Sequence, residues 1–156
     1  MERTRLSPET LTNMASFKML TGLSPAQIGI MASVMTEIDI PKDTYFIFED
    51  SNDLEVFFIL KGQAEIRVPR NSGGGNGRLA VVGPGETVGE FALARTGRRS
   101  ASSLAVTDVV ALKTSSEELH QLFSDHPSIG YFIYRNLLRL TVERLEDTNF
   151  LARKVV

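Results

Sequence analysis

The stretch Gly89-Glu90-Phe91-Ala92-Leu93-Ala94-Arg95-Thr96-Gly97-Arg98-Arg99-Ser100-Ala101-Ser102 carries more chemistry than any other in the chain. Glycine at 89 lets a ligand approach the backbone closely. Glu90-Phe91-Ala92-Leu93 can form a short helix whose first N–H groups point outward, an arrangement that favours anions. The carboxylate of Glu90 can accept hydrogen bonds from hydroxyls. Nine residues further on, Arg99 supplies a planar, bidentate donor suited to a phosphate, and Ser100 adds a hydroxyl. Amides, one carboxylate, one arginine and one hydroxyl together suit a ribose phosphate. Arg95 and Arg98 read as solvated surface residues.

Outward from this segment the hydrophobic period is that of strands. Over residues 36–113, Ile38, Ile40, Tyr45, Ile47, Val56, Phe58, Leu60, Ala64, Ile66 and Val68 mostly alternate with neighbours of different character. Breakers separate the runs: Pro41-Lys42-Asp43, Asp50-Ser51-Asn52-Asp53, Lys61-Gly62 and Gly83-Pro84-Gly85. Short strands with turn signals between them predict an antiparallel sandwich or barrel. The run Asn71–Gly77 is a hairpin connection; a phosphate-binding P-loop would need a Gly-Lys-Ser/Thr ending, which is absent.

Helical signals flank the strands. Residues 7–35 contain the cap Ser7-Pro8 and the capping box Ser24-Pro25-Ala26-Gln27. Residues 114–153 open with a second box, Ser115 to Glu118, and His126-Pro127 ends that short helix. Its His120 reads as structural or exposed. A long helix follows from about Ser128 to about Arg153, with two apolar stripes: Ile133, Leu137, Leu140 and Leu138, Val142, Leu145. Either the core face is wide, or the second stripe meets a partner helix. The whole reads as one α+β domain over residues 1–156, with helices segregated to the ends of a β barrel.

Composition narrows the function. With 42% hydrophobic and 23% charged residues among 156, the chain is neither disordered nor collagen-like. The absence of cysteine excludes disulfides, thiol catalysis and cysteine zinc sites, and two histidines cannot build a histidine-rich metal site. A net charge of −2 does not favour direct DNA binding. No apolar run approaches the ~20 residues that span a bilayer, and no secretory signal leads the chain, so a cytoplasmic protein without a membrane partner is expected. No nucleophile–base pair or metal cluster argues for an enzyme.

The 89–102 segment resembles the phosphate-binding cassette of the cyclic-nucleotide-binding domain family, found in protein kinase A regulatory subunits, the catabolite activator protein and cyclic-nucleotide-gated channels. The family pattern, approximately Gly-Glu-Leu-Ala-Leu and then Pro-Arg-Ala/Ser/Thr-Ala, is met by Gly89, Glu90, Ala92, Leu93, Arg99, Ser100 and Ala101, with Phe91 at the leucine position. The resemblance runs over about residues 17–150 and includes Phe58-Ile59-Leu60-Lys61-Gly62 and Gly83-Pro84-Gly85-Glu86. Asp43 and Asp50 stand where the family often has turn glycines, a role aspartate tolerates. Arg98 replaces the proline, which is expected to loosen the loop.

The resemblance implies an antiparallel barrel or jelly roll and a non-catalytic receptor for cAMP or cGMP that signals through its last helix, with no cofactor besides that ligand. It implies that Arg99 pairs with the cyclic phosphate, that Glu90 accepts from the ribose 2′-hydroxyl, and that the amides of Phe91 and Ala92 face the phosphate. Ser100 and Ala101 line the pocket, Ser100 near the base. Arg144 is either a lid over the base or an ordinary surface partner of Glu143-type neighbours. Three other readings share the motif: a catabolite-activator-type sensor, a piece of a channel or kinase, and an interaction module with a vestigial site. With the sequence ending at Val156, no helix-turn-helix is expected within these residues. A homodimer through the C-terminal helix is the expected assembly.

Overall fold

The computed structural model describes residues 5–69, 76–94 and 97–154. Residues 71–75 of the expected hairpin connection, and Arg95, lie outside these. Two helices come first, α1 (Pro8–Met14) and α2 (Pro25–Ala32), separated by a 3-10 turn at Lys18–Leu20. Their starts follow from their caps. Ser7 Oγ accepts the Thr10 amide at 3.1 Å. At α2 the capping box closes both ways: Ser24 Oγ accepts the Gln27 amide and Gln27 Oε1 accepts the Ser24 amide.

Eight strands follow: β1 (Thr36–Ile40), β2 (Tyr45–Ile47), β3 (Glu55–Lys61), β4 (Ala64–Pro69), β5 (Asn76–Val82), β6 (Thr87–Val88), β7 (Ser102–Ala105) and β8 (Val109–Ser115). They pair antiparallel in two four-stranded sheets, ordered β1-β8-β3-β6 and β2-β7-β4-β5. The architecture is therefore the jelly-roll form of the expectation, a sandwich of two sheets and not a closed barrel. Asp43 and Asp50 adopt φ of 66° and 63°, the left-handed turns that aspartate was expected to tolerate.

Two apolar cores result. One lies between the sheets and includes Ile40, Ile47, Phe57, Ile59, Val88 and Ala111. The other joins the helices to the outer face of the first sheet through Val56, Phe58 and Leu112. Strand β3 serves both, so Val56, Phe57, Phe58 and Ile59 are all buried. Its run is continuously apolar because both faces are covered, and simple alternation does not describe it.

The chain closes with α3 (Ser116–Asp125) and α4 (Pro127–Lys154). Ser115 Oγ accepts the Glu118 amide at 3.2 Å, the expected cap. Helix α4 has 28 residues and is roughly 42 Å long. In its first stripe Ile133 and Leu137 are buried and Leu140 is half-buried, and Ile129, one turn earlier, is buried as well. Buried Asn136 donates to the carbonyls of Met19 and Thr21, both at 2.9 Å, and pins the helix to the 3-10 turn. The second stripe is exposed: Leu138 by 66%, Val142 by 42% and Leu145 by 58%. The wide-core-face alternative is thereby excluded. No helix among the described residues is long and apolar enough to cross a membrane.

Candidate ligand-binding site

Gly89 takes φ 82°, and Glu90–Leu93 follows it as a single 3-10 turn. A Cβ at 89 would lie 2.7 Å from the Glu55 carbonyl oxygen and 3.0 Å from Arg99 Nη1, so glycine is required twice over. The Ala92 amide donates to the Gly89 carbonyl at 3.2 Å and closes the turn, so in this conformation it is not available to face an anion.

A cavity of about 530 Å³ opens beside this turn, within the range of roughly 300–1,000 Å³ typical of small-molecule sites. Gly89, Glu90, Phe91, Ala92, Arg99, Ser100 and Ala101 all line it, and so does Arg144. The second sheet contributes an apolar wall that includes Ile66 and Val81. One cavity thus gathers every site residue expected from the sequence.

Arg99 is held firmly. Its Nη2 donates to Asp53 Oδ1 at 2.7 Å and to the Glu55 carbonyl, its Nε to Asp53 Oδ2 at 3.4 Å, and its Nη1 to the Gly89 carbonyl at 3.0 Å. A guanidinium has five N–H donors, so one Nη1 N–H has no partner among the described residues. Asp53 also accepts from the Ser51 hydroxyl at 2.5 Å and the Glu55 amide at 3.3 Å. Burial alone would push the Asp53 carboxyl up. The hydrogen bonds from Arg99 and Ser51 and the charge of Arg99 outweigh burial and hold it below the usual carboxylate value.

A depressed carboxylate stabilises the fold above its ordinary pKa, about 4, and loses that contribution as pH falls through its folded value. Asp53→Asn is therefore expected to be less stable than wild type at pH 7. About 1–3 kcal/mol is reasonable, below the fully buried figure because Asp53 is a third exposed. The gap should narrow below about pH 4. Thermal melts of both proteins from pH 7 to pH 2.5 check this; a constant gap would show that the pair is not what stabilises Arg99.

Arg98 does not loosen the loop. Its Nη1 donates to the Asp50 carbonyl at 2.7 Å, and its Nε lies 3.7 Å from the Asp50 carboxylate. Two backbone bonds, Asp50 amide to Arg99 carbonyl and Arg99 amide to Ser51 carbonyl, complete the strap. Hydrogen bonds here do what a proline ring would do by fixing φ.

The 90–93 turn is also gripped by the C-terminal helices. Glu90, buried, accepts from Arg144 Nη1 at 2.8 Å. Arg144 thus reaches the cassette itself, a partner the sequence reading did not name. At the other end of the turn, the Leu93 carbonyl lies 3.0 Å from His120 Nε2 and accepts from the Tyr134 hydroxyl at 3.2 Å. Burial pushes the Tyr134 hydroxyl up from its ordinary value. His120 is structural and exposed, as the sequence suggested, whereas the roles of Asp53 and Tyr134 were missed from the sequence. Asp53 stood there only as part of a turn signal, and its charge was the available clue.

The family model of the cyclic nucleotide-binding domain matches residues 37–126. The Pycsar effector protein PaPycTIR of Pseudomonas aeruginosa is 34% identical over 120 residues, covering 76% of this chain and 36% of the effector. A CRP-like cAMP-activated global transcriptional regulator of Mycobacterium tuberculosis is 26% identical over 128 residues, covering 82% of this chain and 55% of the regulator. The chain thus spans between about a third and just over half of these relatives. The crystal structure of Thermus thermophilus catabolite activator protein superposes with a TM-score of 0.76 at 25% identity, covering 88% of this chain and 62% of that one. The regulatory domain of Toxoplasma gondii PKA, solved with cAMP, shares the fold with a TM-score of 0.72 at 16% identity, covering 86% of this chain and 48% of that one. On these grounds, and on its cassette and jelly roll, the chain belongs to the cyclic nucleotide-binding domain family.

Proposed function

We propose that this chain is a non-catalytic receptor module that binds a 3′,5′-cyclic nucleoside monophosphate, cAMP or cGMP, in the cytoplasm and signals through α4. The observation that carries the reading is the single cavity in which Glu90 and Arg99 meet the rest of the cassette. In it the remaining Nη1 N–H of Arg99 takes a phosphate oxygen, supported by the Phe91 amide. Glu90 accepts from the ribose 2′-hydroxyl. Ser100 and Ala101 border the base, and the serine hydroxyl serves adenine or guanine equally. The output is a change in how α4 packs, because a ligand shifts only the equilibrium for which its affinities differ. Calorimetry of the chain with cAMP, cGMP, cCMP, cUMP and a cyclic dinucleotide is the test. Micromolar or tighter binding of a cyclic mononucleotide supports the reading; no binding of any overturns it.

The lengths of the relatives favour a second layer to this reading, in which the module is the sensor of a longer regulator or effector. The exposed stripe of α4 offers the connection to a second copy. Leu138, Val142 and Leu145 recur at spacings of four and three, as a helix–helix seam requires. Val142→Glu places a charge in that seam, where desolvation opposes it. Sedimentation with and without nucleotide should show wild-type dimers and Val142→Glu monomers. Monomers throughout would confine α4 to an intramolecular role.

A further inference from the structure

A second, smaller cavity of about 200 Å³ adjoins the first. It lies among the edge strand β6, the 3-10 turn at Lys18–Leu20 and the part of α4 from Leu140 to Asp147. Thr87 lines it. Thr87 pairs with Phe58 of β3, and residues opposed across antiparallel strands point to the same face. Phe58 belongs to the core beneath the helices, so the Thr87 side chain points toward α4 and into this cavity. Thr87 is 5% exposed, and its hydroxyl has no hydrogen-bond partner among the described residues. A buried hydroxyl left unpaired is costly, and such groups are normally satisfied.

The other walls say what would satisfy it. Four acidic and two basic side chains line the cavity. Lys18 Nζ lies 3.9 Å from Glu86 Oε2, and Arg144 Nη1 donates to Glu90. Glu143 and Asp147 have no partner among the described residues. They stand four apart on α4, a spacing at which like charges repel. Among the described residues no three acidic or histidine side chains converge as a metal ion requires. Ammonium groups, which take acceptors singly, suit such a spread. Met19 and Leu140 add apolar surface. The volume equals that of about six or seven waters at about 30 Å³ each, comparable to a short carbon chain with an amine at each end.

We propose that this cavity binds a linear aliphatic diamine as its dication. One ammonium donates to the Thr87 hydroxyl, the other lies between Glu143 and Asp147, and the methylene stem covers Met19 and Leu140. The site is independent of the cyclic-nucleotide reading, since Arg99 and the base-facing residues take no part in it.

The test is calorimetry and thermal melting of the nucleotide-free chain with putrescine and cadaverine, against butylamine, potassium and magnesium at matched ionic strength. Both diamines should raise Tm, as a ligand of the folded state must. They should bind about fivefold or more tighter than butylamine, which has no second ammonium for α4. Glu143→Gln and Asp147→Asn should each weaken putrescine by about threefold, and Thr87→Val by about tenfold. Thr87→Ser keeps the hydroxyl and should stay near wild type. Glu146→Gln is the charge control, since Glu146 is exposed on the same helix and lines neither cavity. Thr87→Val should itself melt no lower than wild type, because it removes an unpaired hydroxyl. Equal binding of butylamine and the diamines, or an equal rise in Tm from potassium or magnesium, reduces the effect to charge screening and overturns the proposal. So does full affinity in Thr87→Val, which would leave only ion pairing on the surface of α4. No diamine binding by wild type overturns it outright, whatever the chain does with cyclic nucleotides.

Discussion

Arg99→Ala is expected to weaken cyclic-nucleotide binding by about a hundredfold or more, since truncating one partner of a buried charged pair costs roughly 2–5 kcal/mol. The phosphate loses its cation. The loss reaches further, because Arg99 also ties β3 to the cassette through Asp53 and the carbonyls of Glu55 and Gly89. Without it, Gly89 and the 90–93 turn lose the group that fixes their distance from the sheet. Arg99→Lys separates the two effects. A lysine keeps the charge but, as a compact ammonium, cannot span Asp53 and both carbonyls in the same plane. Its affinity should lie between wild type and alanine. Calorimetry at low temperature, with circular dichroism to verify folding, is the measurement; wild-type affinity in Arg99→Ala would remove this residue from the site.

The largest loss of stability is expected from Gly62→Ala, about 3 kcal/mol or more. Gly62 sits between β3 and β4 at φ 87°, where any side chain is strained. Its Cβ would lie 2.1 Å from the Asp108 carbonyl oxygen and 2.8 Å from Thr107 Oγ1. Neither can move aside cheaply. Thr107 Oγ1 accepts the Gln63 amide at 2.9 Å, and the Val106 amide donates to the Gln63 carbonyl at 3.0 Å. At roughly 2–4 °C per kcal/mol for a chain of this size, Tm should drop by about 6–12 °C. Two other glycines calibrate the result. Gly97 has φ 117° with open space around it, so Gly97→Ala reports backbone strain alone. Gly29 lies inside α2 with nothing within 4 Å, and Gly29→Ala should raise stability by about 0.5–1 kcal/mol. A Gly62→Ala loss no larger than that of Gly97→Ala would show that the backbone yields there.

What the sequence displayed and what it concealed divide along physical lines. The helix caps, the switch from helical to strand period and the cassette spacing are local, and each survives into the structure within a residue or two. Of the two expected capping boxes, however, only that of Ser24 and Gln27 closes both ways, and Ser115 makes a simple cap. The partner of Arg99 is 46 residues away, and the partner of Arg144 is 54 away. Those pairings exist only once the sheets and α4 have brought them together. Strand β3 was legible as a strand but not as a doubly covered one, because alternation is the mark of a strand with one wet face. Arg98 misled for a related reason. Losing a proline suggests a slacker chain, but an arginine can replace a ring by reaching a carbonyl in another loop.

Helix α4 is also a lever with a defined fulcrum. Asn136 fastens it to the body at Met19 and Thr21, and from Val142 to Asp147 every residue is exposed. Measured along the axis, Arg144 stands roughly 12 Å from that fulcrum and Lys154 roughly 27 Å. A rigid tilt of α4 about Asn136 would be magnified about twofold between Arg144 and the tip, and ten degrees of it would carry the tip by about 5 Å. On the receptor reading proposed above, a slight movement of the cassette would suffice for a contact at the far end of α4 to register a change of gear.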